Sequence, residues 1–236
     1  MRDDICTIPV SEGFEPKDGC PLCRMRAIAE KRVVDYIMGA AMMEPDVRVK
    51  TNALGFCPSH FEKLRRANNR LSLALMLDSH LQEIESETFG AGKWLKPSAK
   101  KVAYRAVRLQ ETCFVCDKMN FGMEHMLDTI YRQYEISKEF RALYSQQNEF
   151  CLPHAAQLLD NVPANMNKER AKELADITKE ITLRTLHELQ QDVHHFCDMF
   201  DYRNSNEDAD WGNARDAIER AGAFLNGSLP DRIKIR

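Results

Sequence analysis

The chain has 236 residues, of which 44% are hydrophobic and 29% charged, and its net charge at neutral pH is −3. This composition supports a packed core and excludes a disordered chain, and so small a net charge creates no field that would draw the whole chain to nucleic acid or a membrane. The N-terminal residues contain no apolar run of signal-peptide length, and no stretch approaches the roughly 18 apolar residues of a membrane span. We therefore expect a cytoplasmic protein of one large domain or two small ones.

A pattern of cysteine and histidine residues occurs twice along the chain. The first copy is Cys20, Cys23, Cys57 and His60, and the second copy is Cys113, Cys116, Cys151 and His154. The gap between the two ligand pairs is 33 residues in the first copy and 34 in the second. Each copy offers three thiolates and one imidazole, which is a complete tetrahedral ligand set for zinc. Paired cysteines in a reducing compartment are typical of metal sites rather than disulfides, so the pattern predicts two Zn²⁺ sites.

Residues 1–94 are predicted to form a first metal-binding helical repeat. Prolines and glycines in residues 1–19 indicate an irregular lead-in. A helix should follow the first cysteine pair to about Met43, and a short helix should end at Gly55, which supplies a left-handed position. The proline after Cys57 suits the first turn of a further helix, which would carry two ligands at its start.

Residues 95–112 are predicted to form a basic linker helix, with Ser98 as its N-cap. Lys101, Arg105 and Arg108 share one face of this helix. One interpretation is an anion-binding face for nucleic acid or anionic lipid headgroups. The other is a solvated connecting helix, which we favour because the chain as a whole is slightly negative.

Residues 113–203 repeat the plan of the first copy. A helix follows the second cysteine pair, Ser137 caps a short helix, and a long helix spans about residues 165–200. Residues 204–236 add an acidic segment with Trp211, which should pack onto the protein body, and a C-terminal helix. The sequence therefore predicts an all-α, internally duplicated helical bundle with two Cys₃His metal sites. Its pseudo-two-fold halves should pack as one domain.

The ligand pairs can combine in two ways. Cys20 and Cys23 can join Cys57 and His60 within the first copy, or they can join the Cys151–His154 pair in a crossed arrangement. The shorter loop costs less entropy to close, although the difference is small. We favour the uncrossed arrangement.

Several of these features together resemble a known family. They are the Cys-Pro-Leu-Cys and Gly-Phe-Cys-Pro-x-His motifs, the second Cys-x-x-Cys and Phe-Cys-x-x-His pair, and the tail Asp201-Tyr202-Arg203-Asn204 with Trp211-Gly212. This combination is similar to the bacterial and archaeal family named domain of unknown function 6062, from about residue 14 to 227. The resemblance implies a helical metal-binding protein and no specific activity.

Three functions are compatible with the pattern. A Cys₃His zinc site is closed to water and substrate, which favours a structural metal in an interaction or adaptor module with a protein partner. Iron–sulfur clusters in a redox or electron-transfer protein are the alternative, because cysteine and histidine also hold such clusters. An enzyme is not expected, since the sequence has no nucleophile motif, no phosphate-binding glycine loop and no distinctive pair of carboxylates.

Overall fold

The computed structural model describes residues 6–201 and 210–228, and these ranges contain α-helices and no strand. The helices are α1 (Thr7–Phe14), α2 (Pro21–Met38), α3 (Pro45–Leu54), α4 (Pro58–Arg66), α5 (Arg70–Glu83), α6 (Ala99–Gln110), α7 (Phe114–Ile136), α8 (Lys138–Ser145), α9 (Leu152–Asp160), α10 (Lys168–Asp198) and α11 (Ala217–Asn226). A π-helical turn, Ile84–Thr88, continues α5. The predicted all-α class is confirmed. None of the described helices is long and apolar enough to cross a membrane.

Local sequence sets where several helices begin. The predicted caps are present, since Ser98 Oγ accepts from the backbone N–H of Lys101 and Ser137 Oγ accepts from that of Phe140. Asn167 caps α10 in the same way. These side chains satisfy N–H groups that have no partner within the helix.

The N-terminal segment differs from the prediction of an irregular lead-in, because residues 7–14 form α1. Pro9 lies in the first turn of α1, where the missing N–H of proline is not needed. Gly13 lies near its end, and a Cβ atom there would stand 2.5 Å from Met25 Cγ. The glycine therefore permits the close approach of α1 to α2 and does not interrupt the helix.

The described chain divides into two compact units. The continuous unit is residues 29–122, and the discontinuous unit is residues 1–28 together with 123–236. Helices α2 and α7 each begin in one unit and end in the other. The predicted succession of 1–94, 95–112, 113–203 and 204–236 is a division by sequence repeats, and it stays a prediction. The internal duplication stays a prediction from the sequence pattern.

An aromatic cluster forms much of the core of the discontinuous unit. The Phe14 ring centroid lies 5.2 Å from that of Phe140 and 5.7 Å from that of Tyr144, and the Tyr144 and Phe150 centroids are 5.1 Å apart. The buried Tyr144 hydroxyl hydrogen-bonds to Thr178 Oγ1 of α10 at 2.6 Å. Aromatic contacts of this kind add to the stabilisation that burial provides. The N-terminal helix is therefore packed into residues of the second copy.

The C-terminal tryptophan lies against the end of the long helix. Trp211 packs edge-on to Phe196 and Phe200, with ring centroids 5.8 and 6.0 Å apart. The predicted packing of Trp211 onto the protein body is confirmed. The neighbouring tail residues 202–204 and the acidic Glu207 and Asp208 lie outside the described residues.

The core of the continuous unit is formed by aliphatic and methionine side chains around the start of α7. Its buried members include Ile37, Met38, Ala41, Met42, Val47, Leu64, Leu73, Met76, Phe114, Val115 and Met119. The buried Cys113 belongs to the same cluster. The second cysteine pair is therefore embedded in the core of this unit.

Candidate metal centres

The structure brings all eight predicted ligands together in two groups of four. The outer site consists of Cys20, Cys23, Cys151 and His154, and the inner site consists of Cys57, His60, Cys113 and Cys116. The names refer only to order along the chain: all four ligands of the inner site lie between Cys23 and Cys151 in the sequence. Within each group the four ligand atoms all lie within 4.8 Å of one another. The predicted pair of Cys₃His groups is confirmed, and each group could hold a metal ion.

The uncrossed pairing that the sequence favoured is wrong. Each site combines one Cys-x-x-Cys pair with the Cys-x-x-His pair of the other copy. The outer site closes a loop of more than a hundred residues, whereas the uncrossed pairing would close about a quarter of that length. The difference in closure entropy is only about 1 kcal/mol. Burying Phe14 among Phe140, Tyr144 and Phe150 outweighs that amount, since burying one phenylalanine contributes about 2 kcal/mol.

Every ligand pair stands at the start of a helix. Cys57 and Cys151 are the N-cap residues of α4 and α9, and their histidines follow in the first turn. The other two pairs each consist of the residue before a helix, α2 or α7, and a residue of its first turn. Each site thus receives two helix N-termini, and the partial positive charge there stabilises thiolates. A site of three thiolates and one divalent ion has charge −1, which these N-termini help to offset.

The outer site is buried. Its four ligands are all less than a tenth exposed. The Cys23–Cys151 sulfur separation is 3.6 Å, and His154 Nδ1 lies 3.1 to 3.5 Å from the three sulfurs. Burial raises the pKa of Cys20 well above its usual value in the metal-free chain.

The end of the described chain closes over the outer site. The backbone N–H of Ser228 donates to Cys23 Sγ at 3.3 Å. A Cβ atom on the preceding Gly227 would lie 3.7 Å from the same sulfur. This contact places the segment after α11 directly on a ligand, so the C-terminal part of the chain contributes to the surroundings of the metal.

The inner site is less enclosed, because Cys57 and Cys116 are partly exposed. The sulfurs of Cys57 and Cys116 are 3.9 Å apart, and His60 Nδ1 lies 3.2 to 3.4 Å from the three sulfurs. Hydrogen bonds to Cys113 and Glu30 raise the pKa of His60 to about 10. Burial raises the pKa of Cys116 to about 12. In the metal-free chain these groups hold protons, so metal binding must release them.

Glu30 supports the inner site and was missed by sequence analysis. His60 Nε2 donates to Glu30 Oε1 at 2.8 Å, and Lys63 Nζ donates to Glu30 Oε2 at 2.6 Å. Although burial opposes ionisation, these two hydrogen bonds lower the pKa of Glu30. The carboxylate fixes the imidazole so that Nδ1 faces the sulfurs. Among the described residues no carboxylate forms an equivalent ion pair with His154.

A sequence signal for Glu30 exists. It precedes Val33, Ile37 and Ala41 at helical spacing, so it is an acid on the apolar face of α2. A carboxylate on such a face is rarely buried without a partner. That rule would have indicated that Glu30 pairs with a basic or imidazole group.

The distances fit a single tetrahedral ion. Zinc–sulfur bonds of about 2.3 Å and zinc–nitrogen bonds of about 2.0 Å imply sulfur–sulfur edges near 3.8 Å and sulfur–nitrogen edges near 3.5 Å. One sulfur–sulfur separation at each site, 3.6 and 3.9 Å, and the sulfur–nitrogen separations of 3.1 to 3.5 Å lie close to these values. All four ligand atoms of each site lie within 4.8 Å of one another. The remaining cysteines, Cys6 and Cys197, belong to neither site.

Comparison with known proteins identifies the family of the chain but no individual relative. A search of curated proteins and a search of solved structures find no significant match. The model of the family of unknown function DUF6062 matches residues 1–232, which is nearly the whole chain. The match covers both cysteine and histidine sets and the C-terminal segment. The chain therefore belongs to the family of unknown function DUF6062.

Proposed function

We propose that the chain is a helical protein with two structural zinc ions, and that it acts as an interaction or adaptor module in the cytoplasm rather than as an enzyme. The observation that carries this proposal is the compact set of four protein ligands at each site, all within 4.8 Å of one another. Four protein ligands complete the coordination of zinc and leave no position for substrate or water. When bound, each zinc supplies a cross-link between two helix N-termini.

The same distances favour zinc over the iron–sulfur alternative. In a cluster, ligands bind different iron atoms that bridging sulfides hold apart, so the ligand atoms spread further than around one ion. The observed sulfur–sulfur separations of 3.6 and 3.9 Å match one tetrahedral ion at each site. A mononuclear zinc centre has no redox chemistry of its own, which supports a structural role.

Metal analysis of anaerobically purified protein, combined with an absorption spectrum, tests the proposal. We expect about two zinc ions per chain and no visible absorption. Removing zinc with a chelator should lower the melting temperature strongly, because the binding energy of a structural zinc ion, on the order of 10 kcal/mol, is folding energy. Stoichiometric iron with sulfide and a brown colour would overturn the proposal in favour of a redox protein.

A further inference from the structure

One stretch of the continuous unit concentrates positive charge. The basic segment, residues 92–110, contains six cationic residues and no acidic residue: Lys93, Lys96, Lys100, Lys101, Arg105 and Arg108. Because the net charge of the whole chain is −3, the remaining residues are distinctly acidic. The charge is therefore segregated, and the basic segment forms a local cationic surface that the small net charge conceals.

Helix α6, which forms most of the basic segment, lies on the surface without a single buried residue. Lys100, Tyr104 and Val107 follow one another at i, i+4 and i+7 and form one row along it. Tyr104 is 67% exposed and Val107 53% exposed. Lys101, Arg105 and Arg108 form the adjacent row, as the sequence predicted. The helix thus exposes Tyr104 and Val107 beside a cationic row.

The loop before α6 adds two more exposed apolar side chains. Trp94 is fully exposed and Leu95 is 83% exposed. The loop is held in shape, because Lys96 Nζ donates to the Gly90 carbonyl at 3.0 Å and a Cβ on Gly90 would stand 2.6 Å from Pro97 Cδ. Trp94 and Leu95 are therefore presented by a braced loop at the start of the cationic helix.

A recess of about 290 Å³ lies beside Leu95. Four cationic side chains line it: Lys93, Lys96, Lys101 and Arg105. Lys93 forms an ion pair with Glu87, and the charge of Arg105 also helps to lower the pKa of that carboxyl. The recess keeps an excess of positive charge, because its four cationic side chains outnumber this carboxylate. A recess of this charge and size fits a phosphate-bearing headgroup, and the exposed leucine stands at its edge.

We propose that the basic segment binds the surface of a membrane containing anionic phospholipid, with Trp94 and Leu95 inserted among the lipids and Lys101 and Arg105 holding headgroup phosphates. Tryptophan, tyrosine and long cationic side chains are the residues that favour the membrane–water interface. Leu95 and Val107 favour lipid over nucleic acid, since aliphatic side chains gain from burial in acyl chains, whereas single-stranded nucleic acids stack on aromatic rings. This inference rests on one part of the proposed function, namely that the chain acts by binding a partner and not by catalysis.

Vesicle co-sedimentation of the zinc-loaded full chain tests the proposal. Phosphatidylcholine vesicles containing phosphatidylserine should bind the chain, and pure phosphatidylcholine vesicles should bind it far more weakly. Each basic residue contributes about 1 kcal/mol at such a surface, so the Lys101→Gln/Arg105→Gln variant should bind about 30-fold more weakly. The matched variant Lys168→Gln/Lys172→Gln removes the same charge from exposed positions of α10 and should bind like the unaltered chain.

Tryptophan fluorescence tests insertion separately from electrostatic attraction. The chain has two tryptophans, so the Trp211→Phe variant makes Trp94 the only reporter. Its emission should shift to shorter wavelength with the anionic vesicles, and Trp94→Ala/Leu95→Ser should weaken co-sedimentation in the unaltered background. Zinc content measured on each variant shows whether the metal sites are intact, so a failure here is distinct from a failure of the zinc proposal.

Three results would overturn the membrane proposal. They are the absence of binding to anionic vesicles, equal binding by the Lys101→Gln/Arg105→Gln and control variants, and unchanged Trp94 emission on vesicle addition. Binding of a single-stranded oligonucleotide that depends on Lys101 and Arg105, without vesicle binding, would instead assign the surface to nucleic acid.

Discussion

Ionisable side chains around the two sites make them chemically unequal, although their ligand types are the same. His60 is fixed by Glu30, which in turn pairs with Lys63. The outer site depends instead on burial and on the backbone N–H of Ser228 at Cys23 Sγ. Ligand orientation at the inner site therefore depends on one carboxylate that is not itself a ligand.

Replacing this carboxylate should weaken metal binding at one site only. In Glu30→Gln the charge that holds the His60 imidazole is lost, and zinc affinity at the inner site should fall roughly 10- to 100-fold. Competition with a chelator measures this as one weakened and one unaltered zinc ion. Glu62→Gln is the matched control, since Glu62 pairs at the surface with Arg65 and Arg66 and should leave both affinities unchanged. Equal loss at both sites in Glu30→Gln would contradict the assigned role.

At the scale of helices, the turn at the end of α3 sets the position of the ligand Cys57. Gly55 has a positive φ of 59°, as the sequence predicted, but its ψ of −154° lies outside the expected left-handed helical region. Only glycine adopts this region readily. Its carbonyl also accepts from the backbone N–H of Phe114 at 3.0 Å. Gly55 thus turns the chain toward Cys57. It also contacts Phe114, the first residue of α7, which lies between the inner-site ligands Cys113 and Cys116 in the sequence.

The Gly55→Ala substitution should therefore destabilise the chain. The backbone strain costs about 1–3 kcal/mol, and the new Cβ would stand 2.8 Å from His80 Nε2. Urea unfolding of the zinc-loaded protein should show this loss. Gly122→Ala in α7 is the matched control, because a Cβ atom at Gly122 would meet nothing within 4 Å beyond its chain neighbours and the backbone of its own helix. Alanine also favours a helix by about 1 kcal/mol relative to glycine. Similar midpoints for the two variants would show that Gly55 is not strained.

Helix boundaries were predictable from sequence where one local group decides them. Ser98 and Ser137 supply caps, and Gly55 supplies a turn, so these helices follow the prediction. Helix α1 was not predictable in the same way. The role of Gly13 depends on its contact with Met25 of another helix. The sequence does not show that contact, so Gly13 and Pro9 read from sequence alone indicate irregular structure. The role of Glu30 was predictable only in part. Its helical spacing indicates that the side chain is buried, but not which histidine it contacts.

For the whole molecule, spacing identified every residue of the two Cys₃His groups but not how the pairs combine. The choice depends on contacts between distant segments, such as that of Phe14 with Phe150, and loop length alone gave a difference of only about 1 kcal/mol. The crossed result explains why residues 1–28 belong to one compact unit with residues 123–236. Cys20 and Cys23 share a site with Cys151 and His154, all within that unit.

Paired cysteine substitutions distinguish the crossed arrangement from the uncrossed one in the full chain. Cys23→Ser/Cys151→Ser removes two ligands of the outer site and should leave about one tightly held zinc ion per chain. Cys23→Ser/Cys57→Ser removes one ligand from each site, so both sites should lose tight binding, since a closed site needs four ligands. Both variants lack two cysteines, so each is the control for the other. The measurement is the zinc that remains bound after chelator treatment.

Uncrossed sites would give the opposite result, with one zinc ion retained by Cys23→Ser/Cys57→Ser and none by Cys23→Ser/Cys151→Ser. Cys57→Ser/Cys116→Ser provides the reciprocal check, because it should retain only the buried outer ion.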